Sequence, residues 1–345
     1  MTMNTQGNKL IKLALPKGSL EKATFAFFER SGYKIRGQER TYRPIINDDD
    51  IEIKILRPQE IPRFVEEGVQ DVGITGSDWI RETRAGVREV LDLEYGGVRL
   101  VMAVPKAISH ISFAEICNNH WKQGKKFRIA TEYLNIASEF LTTLPFYREY
   151  FGSKSPKQIT PWWTKGDNDL ASIYLSFGAT EAKPPEDADA IMDVVETGTT
   201  LEQNGLVPIE TIMRSTARLI VNPNALKNAQ KREKILDIMS MLKGTVEGSK
   251  KLHIFVNVRK ENLPKLLEAL PALKKPTISE LSDKDWYSVN TIIDKDFLIK
   301  AVPKLRKLSQ GLVVHEPRQI LPLEEIESFG NDSVDDDPDS AKGAR

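Results

Sequence analysis

The densest concentration of chemically capable side chains runs from Asp189 to Leu201, DAIMDVVETGTTL. The apolar run Ala190–Val195 reads as a buried strand that delivers Asp193 and Glu196 near its C-terminal end. Thr197, Gly198, Thr199 and Thr200 then turn the chain into a short helix. Successive backbone N–H groups and threonine hydroxyls in such a turn form a concave donor nest for a phosphate. Gly198 lets the backbone approach the oxygens where a side chain would not. A carboxylate just upstream suits ribose hydroxyls or a Mg²⁺ bridge. A capped strand-to-helix turn is the plain alternative, and the acidic strand end favours phosphate over it.

Three further positions share that logic. Pro16-Lys17-Gly18-Ser19 follows the first strand, with Ser19 expected as the helix N-cap and Lys17 as a grip for an anion. Arg57 follows the second strand and Asp78 the third. Strand ends of one α/β sheet that carry Lys, Arg and Asp converge on the rim where such sheets bind ligands. Other conspicuous residues have structural readings. Gly73-Ile74-Thr75-Gly76 suits tight packing of strand on helix, and Trp162-Trp163 reads as a hydrophobic anchor. Lys250-Lys251 and the basic run Lys300–Lys307 read as solvated faces.

The elements that must position these groups alternate as strand, turn and helix. Strands are expected at Lys9–Leu15, Ile51–Leu56, Asp71–Ile74, Val98–Val104, Arg128–Ala130, Ala190–Val195 and Thr216–Val221, an α/β order. Helices follow the first three, and another runs from Leu134 to Leu144. Phe151–Asp169, rich in Lys, Pro and Trp, has no clear period and reads as a long surface excursion. Asn224–Glu247 is the clearest helix, since Ile235, Met239, Leu242 and Val246 fall on one face of a 3.6-residue period. Residues 251–322 then read strand, helix, strand, strand, helix, strand. The strands are Leu252–Val258, Thr277–Leu281, Trp286–Ile293 and Leu312–Val314, and the helices Glu261–Leu270 and Asp296–Leu308. That βαββαβ order is ferredoxin-like.

Composition narrows the classes. The chain has 345 residues, 40% of them hydrophobic, which supplies a core and argues against disorder. Lys plus Arg and Asp plus Glu are both 49, so a chain built to coat nucleic acid or an anionic membrane is excluded. The segment from Leu323 to Arg345 holds eight acidic and two basic residues, leaving the body at +6, a mild charge suited to small anionic substrates. One cysteine, Cys117, excludes an intramolecular disulfide and any cysteine-built zinc site. The four histidines (His110, His120, His253 and His315) lack metal-ligand spacing. With no secretory leader and no apolar run of membrane length, the expected location is the cytoplasm.

Taken together, these segments resemble the ATP phosphoribosyltransferase family, the first enzymes of histidine biosynthesis. The resemblance is carried by ALPKGSL (Ala14–Leu20), LRPQEIP (Leu56–Pro62), GVQDVGITG (Gly68–Gly76), RIATEY (Arg128–Tyr133), GATEA (Gly178–Ala182) and ADAIMDVVETGTTLEQNGL (Ala188–Leu206). KPTISEL (Lys275–Leu281) and Asp285-Trp286 extend it. It spans residues 9–321 in the family's order, and Ala188–Leu206 is its most specific part.

The resemblance implies a two-lobed, periplasmic-binding-protein-like α/β catalytic region and a C-terminal ferredoxin-like domain, the long form of the family. Residues 9–104 and 207–248 would be lobe I, 105–206 lobe II, 250–322 the regulatory domain and 323–345 a disordered acidic tail. The implied reaction is displacement at C1 of phosphoribosyl pyrophosphate by N1 of the adenine of ATP, pyrophosphate leaving with Mg²⁺. Asp193, Glu196, Thr197, Gly198, Thr199 and Thr200 would bind phosphoribosyl pyrophosphate. Arg57 and Lys17 would be the charge-stabilising residues. Gly18, Arg40, Asp78, Tyr133 and Glu181 would line the ATP side, with Arg43 an alternative to Arg40 that spacing does not separate. Histidine would inhibit through Asn257 and Thr277, and the enzyme would be a homo-oligomer, dimer to hexamer. Mg²⁺ would arrive mainly on the substrate pyrophosphate, and neither nucleic acid nor membrane is an implied partner.

Three departures stand out: the length and tryptophan content of Phe151–Asp169, Val194 where common phosphoribosyltransferases have a second acid beside Asp193, and the acidic tail. Two rival readings share the fold. A small-molecule binding protein would lack the chemistry, and a silent regulatory paralogue would have lost the cleft charges. Lys17, Arg57 and Asp193 are all present, which favours the enzyme.

Overall fold

A computed structural model describes residues 9–270 and 276–321. Two compact units divide them. One comprises Lys12–Ala23 and Ile53–Ala225, the other Thr24–Glu52 with the described residues before Lys12 and after Ala225.

The first unit is organised by two sheets. Across the smaller the order is Ile51–Leu56, Ile11–Pro16, Val72–Gly76, Ala217–Val221, Arg88–Asp92. Ile11–Pro16 and Val72–Gly76 run parallel, with Leu13 opposite Val72. Val72–Gly76 is buried throughout, as a strand covered on both faces must be. Gly73 is required by packing, since a Cβ there would lie 2.5 Å from Ile61 Cγ2 and 2.9 Å from Val65 Cγ2 on the helix Ile61–Glu66. The helix after the first strand begins at Glu21, beyond Ser19. The turn is closed by Glu21, whose carboxylate accepts the Gly18 N–H at 3.2 Å, and not by the expected Ser19 cap.

Across the larger sheet the order is Thr164–Lys165, Pro156–Ile159, Asn168–Leu175, Phe127–Thr131, Ala190–Val195, Val98–Pro105, Leu206–Ser215. Val98–Pro105, read from sequence as the way out of the first lobe, thus already lies in this second sheet. The expected excursion at Phe151–Asp169 is largely sheet edge. Its strand Pro156–Ile159 was hidden because the inward position is polar: Gln158 is buried and donates to the Leu134 carbonyl at 3.2 Å. Trp162 is 73% exposed and Trp163 47% exposed, so neither is an anchor. Trp162 instead meets exposed Phe177 edge-on, ring centroids 5.6 Å apart.

Leu206–Ser215 was not expected as a strand because two register shifts break its alternation. The helix Phe113–Lys122 also escaped notice, although Ser112 and Glu115 form a reciprocal capping box that the S-x-x-E spacing advertises. Its apolar face joins both flanks of the sheet in one core around Phe127, Ile129, Ile173 and Met192.

In the second unit the long expected helix is two: Pro223–Lys227 and Ala229–Lys250. Asn228 separates them and caps the second through Lys231 N–H at 3.1 Å. Ile235, Met239, Leu242 and Val246 are buried, as their periodicity required. Residues 251–321 form the βαββαβ domain. Its sheet order is Thr277–Glu280, Trp286–Asp294, Lys251–Arg259, Ser309–His315, antiparallel throughout. Helices Leu263–Ala269 and Lys295–Leu308 cover the face that carries Leu252, Ile254, Val256 and Val258. This is the ferredoxin-like topology. The acidic tail lies outside the described residues.

Candidate functional site

Ala190–Val195 lies between a parallel and an antiparallel neighbour, Phe127–Thr131 and Val98–Pro105. Pairing with the former ends at Met192 opposite Thr131, so Asp193 is the first residue past it. Its carboxylate accepts the Val194 N–H at 2.7 Å and a hydrogen bond from Thr180. Burial pushes its pKa up to about 6, and the carboxylates of Glu181 and Glu132 add to the shift. Expected Asp193 and Glu181 are thereby brought together. Glu132, inside RIATEY, joins them although sequence reasoning did not single it out.

Just past Val195, Glu196 and Thr197 are exposed, and Gly198 takes φ = 91° at the start of the one-turn helix Thr199–Gln203. Space is not what demands glycine here, since a Cβ would only reach ordinary contact with Val195 Cγ1 at 3.7 Å. The left-handed backbone demands it, at a cost of about 1–2 kcal/mol for other residues. Leu201 is buried and fixes the helix to the sheet, while Thr197 and Thr199 set their hydroxyls 3.2 Å apart on the exposed side. The turn therefore offers hydroxyls and first-turn N–H groups outward.

The strand ends of the smaller sheet supply cations. Lys17 is half-buried and its N–H donates to the Leu56 carbonyl at 2.7 Å, which ties its loop to the strand ending before Arg57. Arg57 is exposed, and its guanidinium makes no ion pair among the described residues. The Gly18 N–H is committed to Glu21. In the other unit, Arg43 is engaged by Glu52, whereas the exposed Arg40 has no acidic partner among the described residues.

Asp78 and Tyr133, both expected to line the nucleotide pocket, form a buried strut. Asp78 is 4% exposed and Tyr133 3%. The Tyr133 hydroxyl donates to Asp78 Oδ2 at 2.7 Å, and Ser215 donates its hydroxyl to Oδ1. Burial, with Asp78 beside it, holds the Tyr133 phenol far above its ordinary pKa. Its ring stacks on Trp79 at 4.5 Å. Gly76 makes room for Asp78, because a Cβ there would sit 2.0 Å from Oδ1.

A second strut joins the same two helices. Glu82, 7% exposed, accepts the N–H groups of Asn135 and Ile136, both at 2.9 Å, at the start of helix Leu134–Thr143. Its pKa is pushed up to about 7 by burial, against those hydrogen bonds. Gln59 Nε2 donates to Glu132 at 3.1 Å. These links fasten helix Ser77–Thr83 and the loop after Arg57 to the strand end that carries Glu132. Their sequence signal was weak, since a buried Glu inside a helix looks like any solvated one. No group of three His, Cys, Asp or Glu able to hold a metal occurs among the described residues. Among the described residues no helix is long and apolar enough to cross a membrane.

In the C-terminal domain, Asn257 pairs with Ser288 and Thr277 with Asn290. Both are exposed, on the sheet face turned away from the helices. His253 and Asn290 are hydrogen-bonded on the same face.

A family model described as ATP phosphoribosyltransferase matches residues 57–244, and one for that family's C-terminal domain matches residues 249–316. The chain is 39% identical over 313 residues to an ATP phosphoribosyltransferase of Solibacter usitatus, covering 89% of this chain and 98% of that one. It is 40% identical over 321 residues to that of Thermodesulfovibrio yellowstonii, covering 91% and 99%. Among solved structures, the ATP phosphoribosyl transferase (HisG:HisZ) complex from Thermotoga maritima shares the fold. Its TM-score is 0.52 at 24% identity, over 69% of this chain and 99% of that one.

Proposed function

The chain belongs to the ATP phosphoribosyltransferase family, pentosyltransferases of histidine biosynthesis, and from that premise we propose how its own residues carry the reaction. N1 of the ATP adenine attacks C1 of phosphoribosyl pyrophosphate, the C1–O bond breaks, and pyrophosphate leaves with its electron pair and its Mg²⁺. The observation that carries this reading is the strand end at which Asp193, with Glu181 and Glu132, stands five residues before the Gly198 turn.

The reacting sugar develops oxocarbenium character, so no covalent nucleophile is needed and catalysis is positioning plus electrostatics. The Thr197–Thr200 turn seats the 5-phosphate. Asp193 accepts hydrogen bonds from the ribose hydroxyls, and with Glu181 and Glu196 it provides an anionic edge for the positive charge growing on the sugar. The same oxygen-rich edge suits Mg²⁺ delivered on the pyrophosphate, a hard cation that keeps several of its ligands from substrate and water. Lys17 and Arg57 neutralise the leaving pyrophosphate and the ATP phosphates, with Arg57 the principal group and Gly18 the close backbone approach. The Asp78–Tyr133 strut positions the helices behind this rim without touching substrate. Histidine inhibits through the open sheet face that carries Asn257 and Thr277, in a dimer-to-hexamer assembly.

The test is the absorbance rise on phosphoribosyl-ATP formation from ATP, phosphoribosyl pyrophosphate and Mg²⁺, with pyrophosphatase to draw the reaction forward, with and without histidine. Turnover suppressed by histidine is expected. A folded, nucleotide-binding protein without turnover would instead be a silent regulator or a binding protein.

A further inference from the structure

Two arginines stand directly opposite each other beside the phosphate turn, and nothing among the described residues neutralises either. Val98–Pro105 pairs antiparallel with Ala190–Val195 on one side and Leu206–Ser215 on the other. The register sets Val195 against Arg99 and Arg99 against Arg214. Residues opposite in such a ladder share a face, with Cα atoms about 4.5–5.5 Å apart.

Their neighbours settle which face. Val101, Ala103, Val195 and Leu201 pack together on one side of the sheet. Leu100 and Met213, the residues next to the two arginines in sequence, belong to the core on the other side. Arg99 and Arg214 therefore project on the side of Val195 and Leu201. The turn is on that side too, because Val195 Cγ1 lies 3.7 Å from where a Gly198 Cβ would be and Leu201 roots the helix that follows.

Like charges directly opposite in a ladder destabilise it. Elsewhere in these sheets arginine is answered by acid: Arg128 by Asp189, and Arg218 by Glu89 and Asp92. Among the described residues the side chains of Arg99 (half-buried) and Arg214 (exposed) have neither an ion-pair nor a hydrogen-bond partner. The turn itself offers only neutral donors, and Glu196 and Asp193 beside it would repel a phosphate dianion.

We propose that Arg99 and Arg214 form a two-guanidinium clamp on the phosphate seated in the Thr197–Thr200 turn. The clamp supplies the positive charge that the turn lacks, and planar guanidinium forks match phosphate oxygens in pairs. This rests on the reading of the chain as a phosphoribosyl pyrophosphate enzyme and adds two binding residues to it.

The experiment uses the full-length chain and the variants Arg99→Ala, Arg214→Ala and Arg99→Lys. Calorimetric binding of ribose 5-phosphate isolates the clamped phosphate, and inorganic pyrophosphate is the control for the other anion site. Steady-state KM values for both substrates accompany them. Each alanine variant should weaken ribose 5-phosphate binding and raise the KM for phosphoribosyl pyrophosphate by about tenfold or more. Arg99→Lys should recover part of the loss, with pyrophosphate binding and the KM for ATP little changed. Without ligand, the alanine variants should melt no lower than the parent, since a like-charge pair has been relieved. Unchanged ribose 5-phosphate binding by both alanine variants, alongside normal parental turnover, would overturn the clamp alone. So would a change of oligomeric state at unchanged affinity, which would make the pair a subunit contact. A parent that neither turns over nor binds phosphoribosyl pyrophosphate would overturn the clamp together with the reading beneath it.

Discussion

Asp193 is half-buried beside two other carboxylates, and its pKa of about 6 makes it the site's proton-sensitive group. As an acceptor for ribose hydroxyls it must be ionised, so kcat/KM for phosphoribosyl pyrophosphate should fall as pH drops through 6. Asp193→Asn should lose about 10- to 100-fold in kcat/KM and flatten that limb, because a charge-assisted hydrogen bond is replaced by a neutral one. A pH–rate profile of the two proteins checks this, and an unshifted acid limb in the variant would assign it elsewhere. The cation and the turn should separate kinetically. Arg57→Ala should mainly lower kcat, because the leaving group's charge grows only in the transition state. Thr199→Ala should mainly raise the KM for phosphoribosyl pyrophosphate, and steady-state constants for both variants decide.

At the scale of elements, the two struts explain how short pieces hold a site. Helices Ser77–Thr83 and Leu134–Thr143 are joined by Tyr133 on Asp78 and by Glu82 on the first N–H groups of the second helix. Glu82 has a raised pKa, about 7 against 4.5 unfolded. The folded chain therefore binds the extra proton between those values. The stability this contributes is complete below pH 4.5 and is lost as pH rises through 7. Asp193 acts in the same direction. The shift corresponds to about 3 kcal/mol for Glu82. Glu82→Gln should flatten the fall of the denaturation midpoint between pH 4.5 and 7, in denaturant melts across that range. A variant with the parent's full pH dependence would show that Glu82 is not the titrating group.

At the scale of the whole molecule, the seven-stranded sheet and the C-terminal βαββαβ sheet each have their own core. Inhibition by histidine, if seated on the open face of the C-terminal sheet, should be lost without loss of catalysis. Asn257→Ala and Thr277→Ala should each raise the half-inhibitory histidine concentration by about tenfold, the worth of one or two hydrogen bonds. Uninhibited turnover should stay at the parent's rate. Inhibition curves, with oligomeric state measured alongside, test this, and unaltered curves would move histidine to another surface.

The sequence by itself determined the parts whose physics is local. Ala190–Val195 announces a buried strand by its apolar run, Gly198 announces the left-handed turn that only glycine adopts cheaply, and Ile235 to Val246 announce a helix face by period. The βαββαβ order of the C-terminal domain follows from alternation in single strands. Tertiary structure decided whatever depends on a distant partner. Lys17 and Arg57 look alike in sequence to Asp78, yet Asp78 is drawn inside because Tyr133, at the start of helix Leu134–Thr143, and Ser215, at the end of a strand, satisfy its charge. Pro156–Ile159 and Leu206–Ser215 became strands through edge pairing and register shifts that leave no periodic trace. The tryptophans at 162 and 163 lie exposed, and Trp162 meets the exposed ring of Phe177. Arg99 and Arg214, 115 positions apart in the chain, face each other only because Leu206–Ser215 pairs with Val98–Pro105 in that register. Periodicity reports the face a residue takes, while hydrogen-bond registry between strands decides which residue it meets.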